Sequence, residues 1–376
     1  MADDGGGGYF NDNKQMTKKD LIEQLDKLVG FKTLPGELEE NSKALDYVES
    51  LIMDGIVVDR IKNGKAEILR AQVFAGLSPQ YCYMVHMDVV AGTEDQFKMK
   101  VEGDKVWGRG TCDMKFSIPV GIALLNEAVK NDIDFCLMIT TDEEVGGFEG
   151  AKYAVDQGFS PRVLIVPDGG ENLNFVDKAK GVCQVRLVAK GIPAHSSRPW
   201  LGKNALDSLV LLAEKLLKIY GKNNRIESWE TTMNIGTING GTSTNQVCPE
   251  AEMKIDFRYP ETDSIENILG VIRESVEKLQ LDIDISTLST GLPTFTDVSD
   301  PEVKKFIDHT EKAFGEKIII KQTYGASDAR HFAHLKCPVM MQKPMGGEIH
   351  SSDEWMDLTS TMQFYQGMRG YLGLKD

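Results

Sequence analysis

The stretch Tyr81–Val90, YCYMVHMDVV, decides the fold. Tyr81 to Val85 is a short apolar run of aromatic and branched residues, the composition of a buried strand. His86 and Asp88 then appear where that strand should end. A core strand that finishes on an imidazole and a carboxylate is delivering chemistry to one rim of a sheet.

The neighbouring segments follow the same plan. Thr17 to Gly30 reads as a helix opened by Thr17 and stopped by Gly30. A second helix carries Leu45, Val48, Leu51 and Ile52 on one face, and Asn63-Gly64 marks a hairpin. Ser117–Lys130 reads as helix, Phe135–Thr140 as strand, Glu149–Gln157 as helix and Val163–Val166 as strand. Such alternation predicts an α/β domain with a mixed, mostly parallel sheet.

From about Gly181 the pattern changes. Strand-like Cys183–Ala189 is followed by helical Ala205–Lys218, with Leu206, Leu209, Ala213 and Leu216 on one stripe. Met233–Ile238 reads as strand, and Glu250–Arg258 alternates strictly between apolar and charged residues. Helical Ser264–Leu279 and strand-like Asp282–Leu288 complete a β-α-β-β-α-β order, the split βαβ of a ferredoxin-like α+β domain. The sequence therefore predicts a discontinuous catalytic domain, residues 1–180 and 294–376, interrupted by a lid domain at 181–293. Residues 1–15 read as a flexible tail.

Bulk properties exclude several classes. A chain of 376 residues has length for two domains. Its net charge of −15, with no basic stripe, argues against nucleic acid as a partner. No apolar run reaches the roughly 20 residues of a membrane span. Six scattered cysteines read as reduced thiols, which places the chain in the cytoplasm.

Other polar residues follow the ends of predicted strands. Asp142, Glu143 and Glu144 follow Phe135–Thr140, Asp168 follows Val163–Val166, and Asp113 precedes the helix at Ser117. In open α/β sheets, ligands bind beyond the carboxyl ends of the strands. So many anions at one rim repel each other, and a cation resolves the conflict. Carboxylates alone suit magnesium or calcium, whereas imidazole mixed with carboxylate suits zinc, cobalt or manganese. With a second His there are ligands for two ions. Residues two apart in an extended segment point the same way, so Asp88 is expected to accept the second ring N–H of His86.

The motifs VHMDVV, WGRGTCDMK, TTDEEVGG, VPDGG, GIPAHSSRPWLGKNA, GGTSTNQVCPEAEMKIDFR, GASDAR and HSSDEW occur in order between Tyr81 and Trp355. Together they resemble the dizinc peptidase and amidohydrolase family of acetylornithine deacetylase, succinyl-diaminopimelate desuccinylase and glutamate carboxypeptidase. The resemblance implies that His86, Asp113 and Asp168 hold one metal, that Asp113 bridges, and that Glu144 and His350 complete the second. It implies Glu143 as general base and then acid. It gives His195 the oxyanion, reached from a partner subunit in dimeric relatives, and gives Asn245 and Arg258 the substrate, Arg258 as a carboxylate fork. The lid of such relatives often forms a homodimer. Phe116, Ser117, Gly169 and KPMGGEIH depart from the family pattern without touching the implied ligands.

The expected activity is hydrolysis of the amide bond of an N-acyl amino acid or short peptide by a hydroxide shared between two divalent ions, zinc foremost. The alternative is a non-catalytic relative that senses or scaffolds by binding metal or an amino acid. GRG at Gly108–Gly110 fails as a dinucleotide fingerprint, because Asp113 stands where the third glycine belongs. GASDA fails as a serine elbow, because Ala329 replaces its last glycine. His331 and His334 form an H-x-x-H pair that reads as packing or solvent exposure rather than a third metal site.

Overall fold

The computed structural model describes residues 15–170 and 172–375. The tail expected over residues 1–15 lies, except for Gln15, outside them. The chain forms two compact units: one comprises the residues up to Asp177, Thr296–Lys321 and those from Ser327, the other Lys178–Phe295 with Gln322–Ala326.

In the first unit the sheet runs Val57–Asn63, Ala66–Gln72, Phe135–Thr140, Tyr81–His86, Val163–Ile165, Val339–Gln342 and then the strand that begins at Phe175. Its four central strands, Phe135–Thr140 to Val339–Gln342, are parallel, and the pairings at both edges are antiparallel. Every residue of Phe135–Thr140 is buried, as expected where helices cover both faces of a parallel sheet. Helix Ser117–Lys130 packs on that strand and against helices Lys18–Gly30 and Leu358–Leu372. The first helix starts where the sequence predicts: the Thr17 side chain accepts from Asp20 N–H, and Asp20 reaches back to the Thr17 N–H.

A small antiparallel sheet of Lys100–Glu102, Lys105–Trp107, Trp355–Asp357 and Gly346–Gly347 belongs to the same unit. It joins the loop that carries Asp113 to the one that carries His350.

The second unit has a four-stranded antiparallel sheet in the order Thr232–Gly240, Glu250–Tyr259, Gly181–Lys190, Ile283–Gly291. Helices Ala205–Tyr220 and Ile265–Lys278 pack against it and each other. This is the predicted ferredoxin-like order. The strict alternation of Glu250–Arg258 buries Ala251, Met253, Ile255 and Phe257 against Leu209, Leu212, Leu216, Ile268 and Ile272.

Candidate metal centre

Parallel strands aim their carboxyl ends one way, and three of the four here deliver an acid or an imidazole. His86 is the last residue of its strand and is paired with Thr140, the last of Phe135–Thr140. After Thr141 come Asp142, Glu143 and Glu144, with Glu143–Val145 in a short 3₁₀ turn preceded by Asp142 and closed by Gly146 at φ +112. Two donor sets converge: His86, Asp113 and Asp168 form one, and Asp113, Glu144 and His350 the other. Within each set the ligand atoms lie within 4.8 Å of one another.

Asp113 belongs to both sets. Its Oδ1 is 3.3 Å from His86 Nε2, and its Oδ2 is 3.1 Å from His350 Nε2. His350 Nε2 is also 3.3 Å from Glu144 Oε2. On the other side of the His86 ring, Nδ1 is 3.0 Å from the Asp88 carbonyl oxygen. That carbonyl holds a proton on Nδ1 and turns Nε2 toward a carboxylate oxygen. Burial would lower the His86 pKa, yet the hydrogen bond to Asp113 and the surrounding acids raise it well above the ordinary value, so without a cation Nε2 carries a proton toward Asp113; a divalent cation can take that proton's place. The residues therefore fit divalent cations.

The carboxylate of Asp88 does not make the hydrogen bond expected of it. It lies 3.7 Å from the ring nitrogen, and its Oδ2 instead accepts the Glu144 N–H at 3.0 Å. The reason is local: the strand ends at His86, so the alternation rule no longer governs residue 88. Asp88 thus anchors the main chain of one ligand by its carboxylate and the ring of another by its carbonyl.

The electrostatics of the metal-free rim point the same way. Burial alone would raise the Asp113 carboxyl, yet its hydrogen bonds to His350 and His86 hold it well below the carboxylate range. Burial and the charge of Asp113 push Asp168 up to about 7. Burial, then the neighbouring Asp328, raises Glu143. Glu143 and Asp328 line a small interior cavity together with His86, Thr140 and Asp168.

The three other predicted residues belong to the second unit. His195 and Asn245 are exposed neighbours: Ser196 N–H donates to the Asn245 carbonyl at 2.9 Å, and His195 bridges to Gln246. Ser197 N–H is 3.2 Å from His195 Nδ1, which leaves the ring proton on Nε2, free to donate. Arg258 is elsewhere. Arg258 pairs with Val182 at one end of the strand ladder, and Glu250 with Lys190 at the other. At about 3.3 Å per residue this separates Arg258 from the end bearing His195 by some 25 Å. One copy of this unit cannot bring all three to one small substrate. The Arg258 fork is also already engaged, through Nε to Asp256 Oδ1 at 2.7 Å and Nη2 to Oδ2 at 3.2 Å. The pair borders an open groove of about 660 Å³ that Glu227, Met233 and Tyr324 also line.

Comparison with known proteins supplies the family. The model of peptidase family M20/M25/M40 matches residues 82–373. The chain belongs to this family. It is similar to the succinyl-diaminopimelate desuccinylase of Rickettsia bellii, at 24% identity over 93% of this chain and 95% of that one. Among solved structures it resembles an aminopeptidase of Bacillus cereus, with TM-score 0.75, 19% identity and coverage of 95% and 98%. It also resembles a metallo-carboxypeptidase of Sulfolobus solfataricus, with TM-score 0.76, 16% identity and coverage of 94% and 99%. As an M20 member the chain is a metal-dependent hydrolase of the amidohydrolase and peptidase kind, and the sensor-or-scaffold alternative finds no support. No helix among the described residues is long and apolar enough to cross a membrane.

Around this M20 centre the structure adds supporting residues, some of which sequence reasoning passed over. Gly146 carbonyl, next to the Glu143–Glu144 turn, accepts from Arg330 Nη2 at 2.6 Å and from His331 Nε2 at 2.9 Å. His331 therefore has a packing role, with its ring edge-on to Phe148. Ser327 of GASDA caps the 3₁₀ segment Asp328–Leu335 by accepting from Ala329 N–H. Lys115 is buried with its Nζ on the carbonyls of Leu28 and Phe31, at 2.9 and 2.8 Å. Its position in CDMK beside Asp113 was a signal, read only as part of the motif.

Proposed function

We propose that the chain hydrolyses the amide bond of an N-acyl amino acid or short peptide at two divalent ions bridged by Asp113. The observation that carries this reading is the Asp113 carboxylate with one oxygen toward each histidine. His86, Asp113 and Asp168 would hold one ion, and Asp113, Glu144 and His350 the other. The mixed imidazole and carboxylate set suits zinc best, with cobalt or manganese as substitutes. When bound, the ions would supply Lewis acidity, lowering the pKa of water and polarising the scissile carbonyl.

The protein's own groups do the rest. Glu143 and Glu144 are adjacent in a tight turn and face different tasks. Glu144 is directed to His350, while Glu143 lines the cavity with His86 and Asp168. Burial raises the Glu143 pKa, which suits a base that takes a proton from water and returns it to the leaving nitrogen. His195, with its Nε2–H free, would donate to the developing oxyanion. Because Arg258 stands at the far end of its sheet, His195 and Asn245 are proposed to serve a substrate held by another copy of the chain. Val210, Leu211 and Leu217 on the helix Ala205–Tyr220 are exposed, and Thr232–Gly240 is an edge strand beside it, a face suited to a homodimer. The six cysteines are unpaired, in keeping with a cytoplasmic enzyme.

The test is Glu143→Gln. It should keep the metal content of the wild type and lose roughly 10²–10⁴-fold in kcat, measured as free amine released from a panel of N-succinyl and N-acetyl amino acids, dipeptides and tripeptides. Wild-type turnover in that variant would remove Glu143 from the mechanism. No release from the panel by metal-loaded wild type would remove the activity.

A further inference from the structure

Arg109 and Glu354 are an ion pair that neither metal set includes, and both are almost wholly buried, at 3% and 2% exposed. Arg109 Nη1 donates to Glu354 Oε2 at 2.8 Å. The other carboxylate oxygen, Oε1, accepts the main-chain N–H groups of Cys112 at 3.0 Å and Asp113 at 3.1 Å. On the arginine side, Nη2 lies 3.4 Å from the carbonyls of Ala91 and His350. One end of the pair thus grips the backbone of the shared ligand and the other touches the backbone of His350.

The fold explains how residues 245 apart in sequence meet. Trp107 pairs with Trp355 and Val106 with Met356 in the small sheet, and Gly108 N–H donates to the Glu354 carbonyl at 3.2 Å. Arg109 and Glu354 leave that sheet side by side. Gln96 braces the same corner: its carbonyl accepts the Arg109 N–H at 2.7 Å, and its side chain donates to the Ser351 carbonyl at 2.9 Å.

His350 needs such support. It sits at φ +63, a left-handed conformation that costs an L-residue free energy and persists only when the surroundings impose it. Its side chain is half exposed, so packing alone does not hold it. A buried ion pair contributes little net stability against an apolar replacement of the same shape, because desolvation offsets the attraction. What it does supply is a fixed geometry between the groups it bonds.

We propose that Arg109 and Glu354 are positioning residues for the cation site formed by Asp113, Glu144 and His350, fixing Asp113 and His350 in register across two loops. The proposal rests on the two-cation reading. Loosening the pair at its arginine end, with an oxygen left at residue 354 to accept the Asp113 N–H, lets the His350 loop drift from Asp113, while the pair's hydrogen bonds involve neither His86 nor Asp168. The site of His350 should therefore weaken selectively.

The experiment titrates metal-free protein with Co²⁺ and follows visible absorbance and heat, using His350→Ala to identify which binding step belongs to that site. Arg109→Lys keeps the charge but loses the fork, and Glu354→Gln keeps an oxygen acceptor but loses the charge. Each is expected to weaken the His350 step at least tenfold, to leave the other step within about threefold, and to leave the melting temperature of the metal-free protein close to wild type. If one variant fails to fold, the other carries the test. Unchanged binding in the folded variants overturns the proposal, as does parallel weakening of both steps with a lowered melting temperature, the mark of a merely structural pair. A single step in the wild type overturns the two-cation reading itself.

Discussion

Acidification should weaken the metal-free protein through His331, by an amount the structure sets. Burial, then the charge of Arg330, lowers the pKa of this imidazole to about 4. In an unfolded chain it would titrate near 6.5. The folded state therefore binds this proton less readily than the unfolded state. The stability that neutral His331 contributes is fully present above about 6.5 and is lost as the pH falls through that value toward 4. Across pH 7 to 4 the loss is about 3 kcal/mol as a ceiling. Asp328 lies 3.7 Å from the ring, but burial raises its carboxyl to about 7, so it is half protonated at pH 7 and becomes neutral as the pH falls, and offers little compensating charge where His331 titrates. Denaturant unfolding of metal-free wild type and His331→Gln at pH 7 and pH 4 isolates the contribution, since all other titrating groups are common to both. The wild type should lose up to about 3 kcal/mol more than the variant. Equal losses, or a larger loss in the variant, would refute the assignment of a buried neutral imidazole bound to the Gly146 carbonyl.

Gly147→Ala should damage the catalytic turn: the added Cβ would lie 1.9 Å from Asp328 Oδ1 at a residue with φ +64. A stability loss of about 1–2 kcal/mol from the left-handed backbone alone, seen in thermal melts, is expected together with at least a tenfold fall in kcat, and unaltered values of both would contradict the packing. Leu212→Ala, in the core of the ferredoxin-like unit at 0% exposure, should cost about 2–5 kcal/mol in denaturant unfolding; a cost below 1 kcal/mol would mean that the helix does not bury that stripe.

How much the sequence foretold depended on the range of each interaction. Tyr81–His86 and Phe135–Thr140 were legible because a run of buried strand is a local pattern, and their ends marked His86 and the acids after Thr140. The charged face of Glu250–Arg258 likewise announced its pleat. The helix read as Glu149–Gln157 starts later, at Ala151, because the Asp142 carboxylate takes the Glu149 and Gly150 N–H groups at 2.8 and 3.0 Å and holds those residues in the preceding turn. The strand Phe175–Ala179 escaped because Asp177 and Lys178 interrupt its apolar pattern. Asp88 was assigned the right neighbour through the wrong atom, since extended geometry stopped two residues earlier. Arg109 and Glu354 gave no local signal, because their partnership exists only after the small sheet has formed.

Anomalous diffraction from crystals of the zinc-loaded protein tests the central claim most directly. Two peaks are expected, one ligated by His86, Asp113 and Asp168, the other by Asp113, Glu144 and His350. A single peak, or two peaks with Asp113 bound to neither, would contradict it.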